Sequence, residues 1–318
     1  ITGQVEFVHP LHNLAIVSYD PALIGDTPVR TARLSTRKPG AGDEVLVVGL
    51  KADHQVAYQS STVSSVDPLT LPLSRTLRFR DANLEVISLV NEPSQMDGVM
   101  VDDRGRVLAT WSSFCCEGGN GDGASQTNRG IGSDLVRELV EVARAGKPIY
   151  SLEAELAYAP LFAARKLGLA ESWIDRLEKH DPDGRRALSV SRIVAGSPAA
   201  RVLQSGDMLL EIDGRLVSSY RELEQAVQKP RVNATVWRDG EAKTFAIDTV
   251  ALSGADIDHA VSWAGALLQD PHRAMAVQRG IEPTGVYVAY FSYGSPATRY
   301  GLWAGRRIVE VDGAPTPD

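Results

Sequence analysis

One local plan occurs twice in this chain, and it sets the architecture more firmly than anything else in the sequence. The first copy runs Gly196-Ser197-Pro198-Ala199-Ala200-Arg201 and then Gly206-Asp207-Met208-Leu209-Leu210-Glu211-Ile212-Asp213-Gly214. The second runs Gly294-Ser295-Pro296-Ala297-Thr298-Arg299 and then Arg306-Arg307-Ile308-Val309-Glu310-Val311-Asp312-Gly313. In each, Ser is the residue type that caps a helix, Pro fits the first helical position, and one or two helical turns follow. An apolar strand comes next and ends at Asp-Gly, the dipeptide suited to a tight hairpin turn with positive φ. Two such units stacked along the chain predict two homologous small domains.

The remainder of the chain must be a third unit, since 318 residues suffice for two or three domains. A net charge of −7, with no basic run longer than a pair such as Arg306-Arg307, argues against nucleic acid as a partner. No apolar run approaches the ~20 residues of a membrane-spanning helix. The two cysteines, Cys115 and Cys116, are adjacent. Neighbours in a strand point to opposite faces, so they predict no disulfide framework and leave the compartment open. The chain opens on Ile1 and ends soon after Asp312-Gly313, which reads as a fragment.

Residues 1–146 read as β-rich. Gln4–Val8 alternates, Leu14–Val17 is a run of the kind found in buried strands, and Gly42–Gly49 is a strand framed by glycines. Tyr58–Val66, Leu84–Val90, Met100–Val101 and Val107–Phe114 add further strands, with a turn at Asp103-Arg104-Gly105. Many short strands with turn signals predict a barrel or sandwich. Glu117–Gly123 is a glycine-rich loop with too few oxygen ligands at regular spacing for calcium. Ser133 is expected to cap a helix whose apolar stripe is Leu135, Val136, Leu139, Val140 and Ala143, stopped by Gly146 and Pro148.

The unit at 147–250 holds a short helix or turn at Leu161–Leu167, a helix at Glu171–His180 and a strand at Ala187–Val194. Ser219-Tyr220-Arg221-Glu222 is a capping box that opens a helix through Gln228. The unit at 251–318 holds the second copy and ends before a counterpart of that helix.

The repeated pattern resembles the PDZ domain, in which G-x-P-A begins a short helix and a strand ended by Asp-Gly follows. That family carries an upstream Φ-G-Φ loop whose N–H groups hold a peptide carboxylate. Leu167-Gly168-Leu169 and Trp263-Ala264-Gly265-Ala266 stand at matching distances, 28 and 29 residues before Gly196 and Gly294. The resemblance implies peptide-binding residues at Leu167, Gly168, Leu169, Trp263, Ala264, Gly265 and Ala266, with Leu223 and Val227 facing either the groove or the core. The Glu171–His180 helix then reads as an insertion at one rim of the groove.

A β-barrel, a bridging helix and PDZ units is the order of HtrA-type serine proteases. Residues 1–146 resemble the end of the first and the whole of the second trypsin-like barrel of that family. His12-Asn13-Leu14-Ala15-Ile16-Val17 is similar to its D-L-A-V-L strand, Gly42–Gly49 to G-D-x-V-x-A-I-G, and Ile131-Gly132-Ser133 to its strand into the bridging helix. Gln95–Asp102 falls where G-N-S-G-G-P-L-V-D belongs. Phe79–Ile87 and Gly285–Ala297 are like the second, degenerate half of double-length HtrA-like proteases. The fold class expected is therefore mainly β with α+β modules: a trypsin-like barrel followed by two PDZ-like domains, the last incomplete.

A serine protease needs a nucleophile, a base and an orienting carboxylate. The nucleophile position falls on Met96 or Asp97 and the orienting position on Asn13, so no catalytic residue is assigned. The base would come from sequence before residue 1. Ser94 is the one replacement nucleophile within reach, and its neighbours lack the glycines that shape an oxyanion hole. Ile1 is the residue type that begins activated trypsin-like enzymes, but the Asn13 strand follows too soon. His9 and His12 lack an acidic or Cys partner at ligand spacing, so no metal is expected and no cofactor either.

The expectation is a peptide-binding, regulatory segment with a catalytically inactive barrel, its partners being extended or C-terminal peptides. The resemblance further implies a homo-oligomer and a bacterial envelope location. Two alternatives stand beside it: an active endopeptidase whose catalytic residues lie in a part of the polypeptide outside this chain, and a purely structural assembly module.

Overall fold

The computed structural model describes residues 2–51, 53–70, 82–93, 96–116, 125–254 and 257–317. The Ser94 position, the start of the Phe79–Ile87 motif and the Glu117–Gly123 loop lie outside the described residues. The chain divides into two compact units. One comprises Ile1–His9, Leu14–Pro72 and Leu84–Lys147, the other Pro10–Asn13, Leu73–Asn83 and Pro148–Asp318.

The first unit begins with an antiparallel ribbon, β1 (Gly3–Val8) and β2 (Ala15–Tyr19). Leu14–Val17 was expected to be buried, but the ribbon has only two strands and Val17 is exposed. Six strands then close into a barrel: β3 (Glu44–Lys51), β4 (Val56–Pro68), β5 (Glu85–Leu89), β6 (Met96–Val101), β7 (Val107–Cys116) and β8 (Ser125–Gly132), in the spatial order β3-β4-β5-β8-β7-β6. Closure leaves no ladder unpaired. Alternate residues point inward, and Val45, Val47, Met100, Leu108 and Trp111 fill the interior. Helix α1 (Ser133–Ala145) lays Leu135 into a cluster with Leu84, Val86 and Ile131, and Gly146 ends it in the left-handed conformation. Ser133 does not cap this helix. It is the first helical residue, and its hydroxyl donates to the Ser35 carbonyl at 3.0 Å, which Arg137 also reaches at 2.7 Å.

In the second unit β9 (Ile149–Ser151) precedes β10 (Ala154–Pro160), α2 (Leu161–Lys166), α3 (Glu171–His180), β11 (Arg186–Ile193), β12 (Met208–Ile212), β13 (Arg215–Leu216), α4 (Tyr220–Ala226), β14 (Arg231–Arg238) and β15 (Glu241–Asp248). The sheet order is β10-β11-β12-β14-β15, with β13 paired to β12, so β10 and β15 are its edges. Alternation along β11 and β12 splits their side chains between two cores. Leu188, Val190, Leu209 and Ile212 pack with Tyr220 and Leu223 of α4. Ala187, Met208 and Leu210 pack with Leu161 and Ala164 of α2 and with Ile174 and Leu177 of α3. Helix α3 therefore covers the face of the sheet opposite α4, and is not an insertion at the rim of an α4 groove.

Strand β16 (Val250–Leu252) pairs with β9. The second copy follows as β17 (Ala260–Trp263), β18 (Ala266–Gln269), α5 (Arg273–Val277), β19 (Val286–Phe291), α6 (Pro296–Arg299) and β20 (Arg307–Ile308), in the sheet order β17-β18-β19-β20. Helix α5 has no counterpart in the sequence reading. Among the described residues no helix is long and apolar enough to cross a membrane.

Candidate functional site

The positions aligned with a protease centre stand on ordinary barrel structure. Met96 is the first residue of β6, buried in the barrel core and opposite Lys51 of β3, and Asp97 is exposed opposite Leu50. Both belong to β6 and pair with β3. Asn13 is exposed, in the turn closed by the His9 N–H donating to the Leu14 carbonyl at 2.8 Å.

Leu167-Gly168-Leu169 does not open toward a ligand. It is the C-terminal end of α2. The N–H of Leu167 donates to Ala163 and Ala164, that of Gly168 to Arg165, and that of Leu169 to Ala164, the last being the long return bond of a Schellman-type ending. Leu169 is 3% exposed in the α2–α3 core, Leu167 is 71% exposed, and the Gly168 carbonyl accepts from the Trp237 indole at 3.0 Å. With those three amides already bonded, the segment has no converging donors for a carboxylate. Trp263-Ala264-Gly265-Ala266 is likewise a two-residue hairpin between β17 and β18. Ala264 and Gly265 have φ of 50° and 86°, as a type I′ turn needs. Its carbonyls are taken by Ala297 N and Ser292 N; Trp263 is exposed and Ala266 buried.

Leu223 and Val227 are brought to a different place. They are buried, belong to the core of the first copy, and line an apolar cavity beside Leu152, Ala154 and Val194. This cavity lies where α4 runs along the edge strand β10. Ser219 supports the helix by accepting from Glu222 N while the Glu222 carboxylate returns to Ser219 N, a complete capping box. The Tyr220 ring stacks on Tyr158 of β10 at 4.3 Å between centroids and 8° between planes, with the Arg186 guanidinium 3.8 Å from the Tyr158 ring centre. Tyr220 Oη donates to the Leu156 carbonyl and Tyr220 N donates to Tyr158 Oη, each at 3.1 Å. Helix and strand are thus fastened to each other at one end and enclose the cavity at the other.

The loop from β9 into β10 forms the far wall. Glu153 takes φ of 54°, unusual for a residue with a side chain; its N–H donates to Ser151 Oγ at 2.9 Å and its carbonyl accepts from Val194 N at 2.9 Å. Its buried carboxylate holds Arg273 of α5 through both oxygens, one contact being Arg273 Nη2 to Oε2 at 2.8 Å. On α4, Glu224 accepts from His12 Nε2 at 2.6 Å and from Arg221 Nη1 at 2.7 Å. Burial pushes the Glu224 carboxyl up, but His12 and Arg221 outweigh it and hold it down at about 2. None of Asn83, Glu153, His12 and Arg273 was singled out as a groove residue from sequence. Their partners are separated by 71 to 212 positions, and no local pattern records such pairs.

Comparison with known proteins bears on this arrangement. The family model for the PDZ domain matches residues 189–238, which run from β11 through α4 to β14. The chain is 32% identical over 352 residues to Protease Do-like 7 of Arabidopsis thaliana, and 31% identical over 324 residues to Pro-apoptotic serine protease NMA111 of Phaeosphaeria nodorum. Each match covers 100% of this chain and 32% of the relative, so the chain spans about a third of the length of these curated relatives. Among solved structures, the HtrA-type protease AlgW with tripeptide is similar in fold, with a TM-score of 0.50 and 20% identity over 78% of this chain and 76% of that one.

Proposed function

The chain belongs to the HtrA-like family with PDZ domains, and on that premise we propose that it is a peptide-binding, regulatory segment without a protease centre of its own. The observation that carries this reading is the edge strand β10 lying beside α4 over an apolar cavity. An edge strand offers backbone donors and acceptors to an added strand, and Leu223 and Val227 offer an apolar seat for one of its side chains. The ligand class is an extended peptide segment with an apolar residue facing α4. The tripeptide named with AlgW supports the same class for a relative of this fold.

The absence of a centre rests on Asn13, Met96 and Asp97, none of which supplies nucleophile or orienting carboxylate in the places described above. We extend the protease activity named for the two relatives to the longer polypeptide only, as a property of sequence outside this chain.

Two measurements test these readings. A fluorescent library of extended peptides, as free acids and as amides, is titrated by fluorescence anisotropy. Binding in the micromolar range, weakened severalfold by Val227→Ala, is expected; no binding below millimolar concentration removes the peptide-receptor reading. A fluorophosphonate probe is expected to label no serine, and stoichiometric labelling would overturn the second.

A further inference from the structure

The groove between β10 and α4 already contains something. Asn83 places its side-chain amide on the outward edge of β10, where Oδ1 accepts from Leu156 N at 2.8 Å and Nδ2 donates to the Ala154 carbonyl at 2.8 Å. These are the two backbone groups flanking Glu155 that a residue of an added parallel strand would take. A primary amide carries the same donor and acceptor as a peptide group, so Asn83 reproduces one rung of strand addition. The next outward group, the Leu156 carbonyl, is taken by Tyr220 Oη. Beside Asn83, Leu11 and Ala82 line the same cavity as Leu223 and Val227. His12 is 1% exposed and anchors this turn to α4 through its bond to Glu224.

We propose that the Asn83 side chain is an internal ligand of the groove, which an extended peptide must displace to reach β10. The proposal rests on the reading of β10 and α4 as the peptide groove. Two features support displacement over permanent closure. The mimic is a side-chain amide and not a strand, so it holds one rung of the ladder and can leave without unzipping a sheet. It stands at φ of 56°, a backbone conformation few residues favour and Asn tolerates. Against these, the mimic is tethered and competes at a high effective concentration, so a free peptide's apparent affinity is lowered in proportion to the fraction of molecules in which the groove is open. The consequence is a receptor that is weak toward isolated peptides and strengthened by anything that withdraws Asn83.

The test uses the whole chain and the free-acid peptide library. Asn83→Gly deletes the amide and keeps the positive φ comfortable. Asn83→Asp keeps the size and the acceptor but turns a carboxylate toward the Ala154 carbonyl. Asn83→Gly is expected to bind the tightest library peptide about tenfold more strongly than the unmodified chain, as loss of two competing hydrogen bonds implies, and Asn83→Asp, which keeps the bond from Leu156 N and loses the one to Ala154, severalfold more strongly. In the unmodified chain, NMR should show the Asn83 side-chain amide signals moving toward solvent-exposed values as that peptide saturates the groove. If peptide binds with equal affinity to all three chains and the Asn83 signals do not move, the internal ligand is refuted while the peptide-receptor reading stands. If no peptide binds any of the three, both fail together. The NMR arm needs no substitution and decides the matter even where a variant folds poorly.

Discussion

The two copies of the Gly-Ser-Pro-Ala plan agree in backbone and differ in what lies around it. In the first, Gly206 N donates to the Val190 carbonyl at 2.8 Å and Val190 N to the Asp207 carbonyl at 2.8 Å. In the second, Gly305 N donates to Val288 and Val288 N to Arg306, both at 2.9 Å. Ser197 and Ser295 each accept from the amide three residues on, and the Asp-Gly turns have φ of 50° and 78° in one copy and 52° and 80° in the other. The surroundings diverge. Asp207 is 2% exposed, and its carboxylate is gripped by Arg238 of β14 through two bonds at 2.6 and 2.5 Å; the equivalent residue, Arg306, is exposed. The first copy encloses two cores, one on each face of its sheet, whereas Tyr290, Tyr293, Tyr300 and Trp303 of the second stand exposed. Short-range sequence is enough to fix the turns and rungs of such a unit, and the long-range pairs set how firmly it is held.

The largest test of that contrast is Asp207→Ala. It strands a nearly buried guanidinium and should cost about 3–5 kcal/mol in urea unfolding, whereas Arg306→Ala should stay within about 0.5 kcal/mol. Equal losses would mean that the two copies are anchored alike.

A second comparison sets two glycines against each other. A Cβ at Gly265 would meet Ser295 Cβ at 2.2 Å, while one at Gly168 meets nothing within 4 Å, although both have positive φ. Gly265→Ala should therefore cost about 2–4 kcal/mol and Gly168→Ala about 1 kcal/mol, read from thermal unfolding. A larger loss at Gly168 would show that the end of α2 is the tighter site.

The third effect vanishes at neutral pH and grows in acid. Glu224, held at about 2 from an ordinary 4.5, stabilises the first copy fully above pH 4.5 and progressively less as pH falls toward 2. In the second copy Asp258 is also held low, chiefly by its hydrogen bond from His259, but at an exposed position where solvent screens the pair. Acid titration followed by hydrogen exchange should then loosen Tyr220–Ala226 before Val286–Phe291, and Glu224→Gln should flatten the first response. Loosening in the reverse order would contradict the buried His12–Glu224 pairing.

The elements were largely legible in the sequence, because helix and strand periodicity, the capping box at Ser219 and the Asp-Gly turns are local chemistry. The Ser133 expectation failed because a hydroxyl can reach a distant carbonyl as readily as its own helix. The Leu167-Gly168-Leu169 expectation met a helix ending for a related reason. Leu167-Gly168-Leu169 follows Arg165 and Lys166, and a basic last turn with glycine after it is also the signature of a helix ending. Spacing to Gly196 favoured the loop reading; the hydrogen bonds of three successive amides back into α2 decide otherwise. Leu223 and Val227 were legible as apolar positions of α4, but the chemistry surrounding them arrives from Asn83, His12 and Arg273.

The way the strand edges are treated has a bearing on self-association. Unpaired edges are where β-rich chains join copies of themselves into aggregates. Among the described residues the six barrel strands close on themselves and leave none. In the sheet of the first copy, β15 is an edge strand that carries Glu241, Lys243 and Asp248, and on β10 the Ala154 carbonyl and both backbone groups of Leu156 are answered by Asn83 and Tyr220. Withdrawing Asn83 would bare two adhesive backbone groups, so this side chain also guards against self-association.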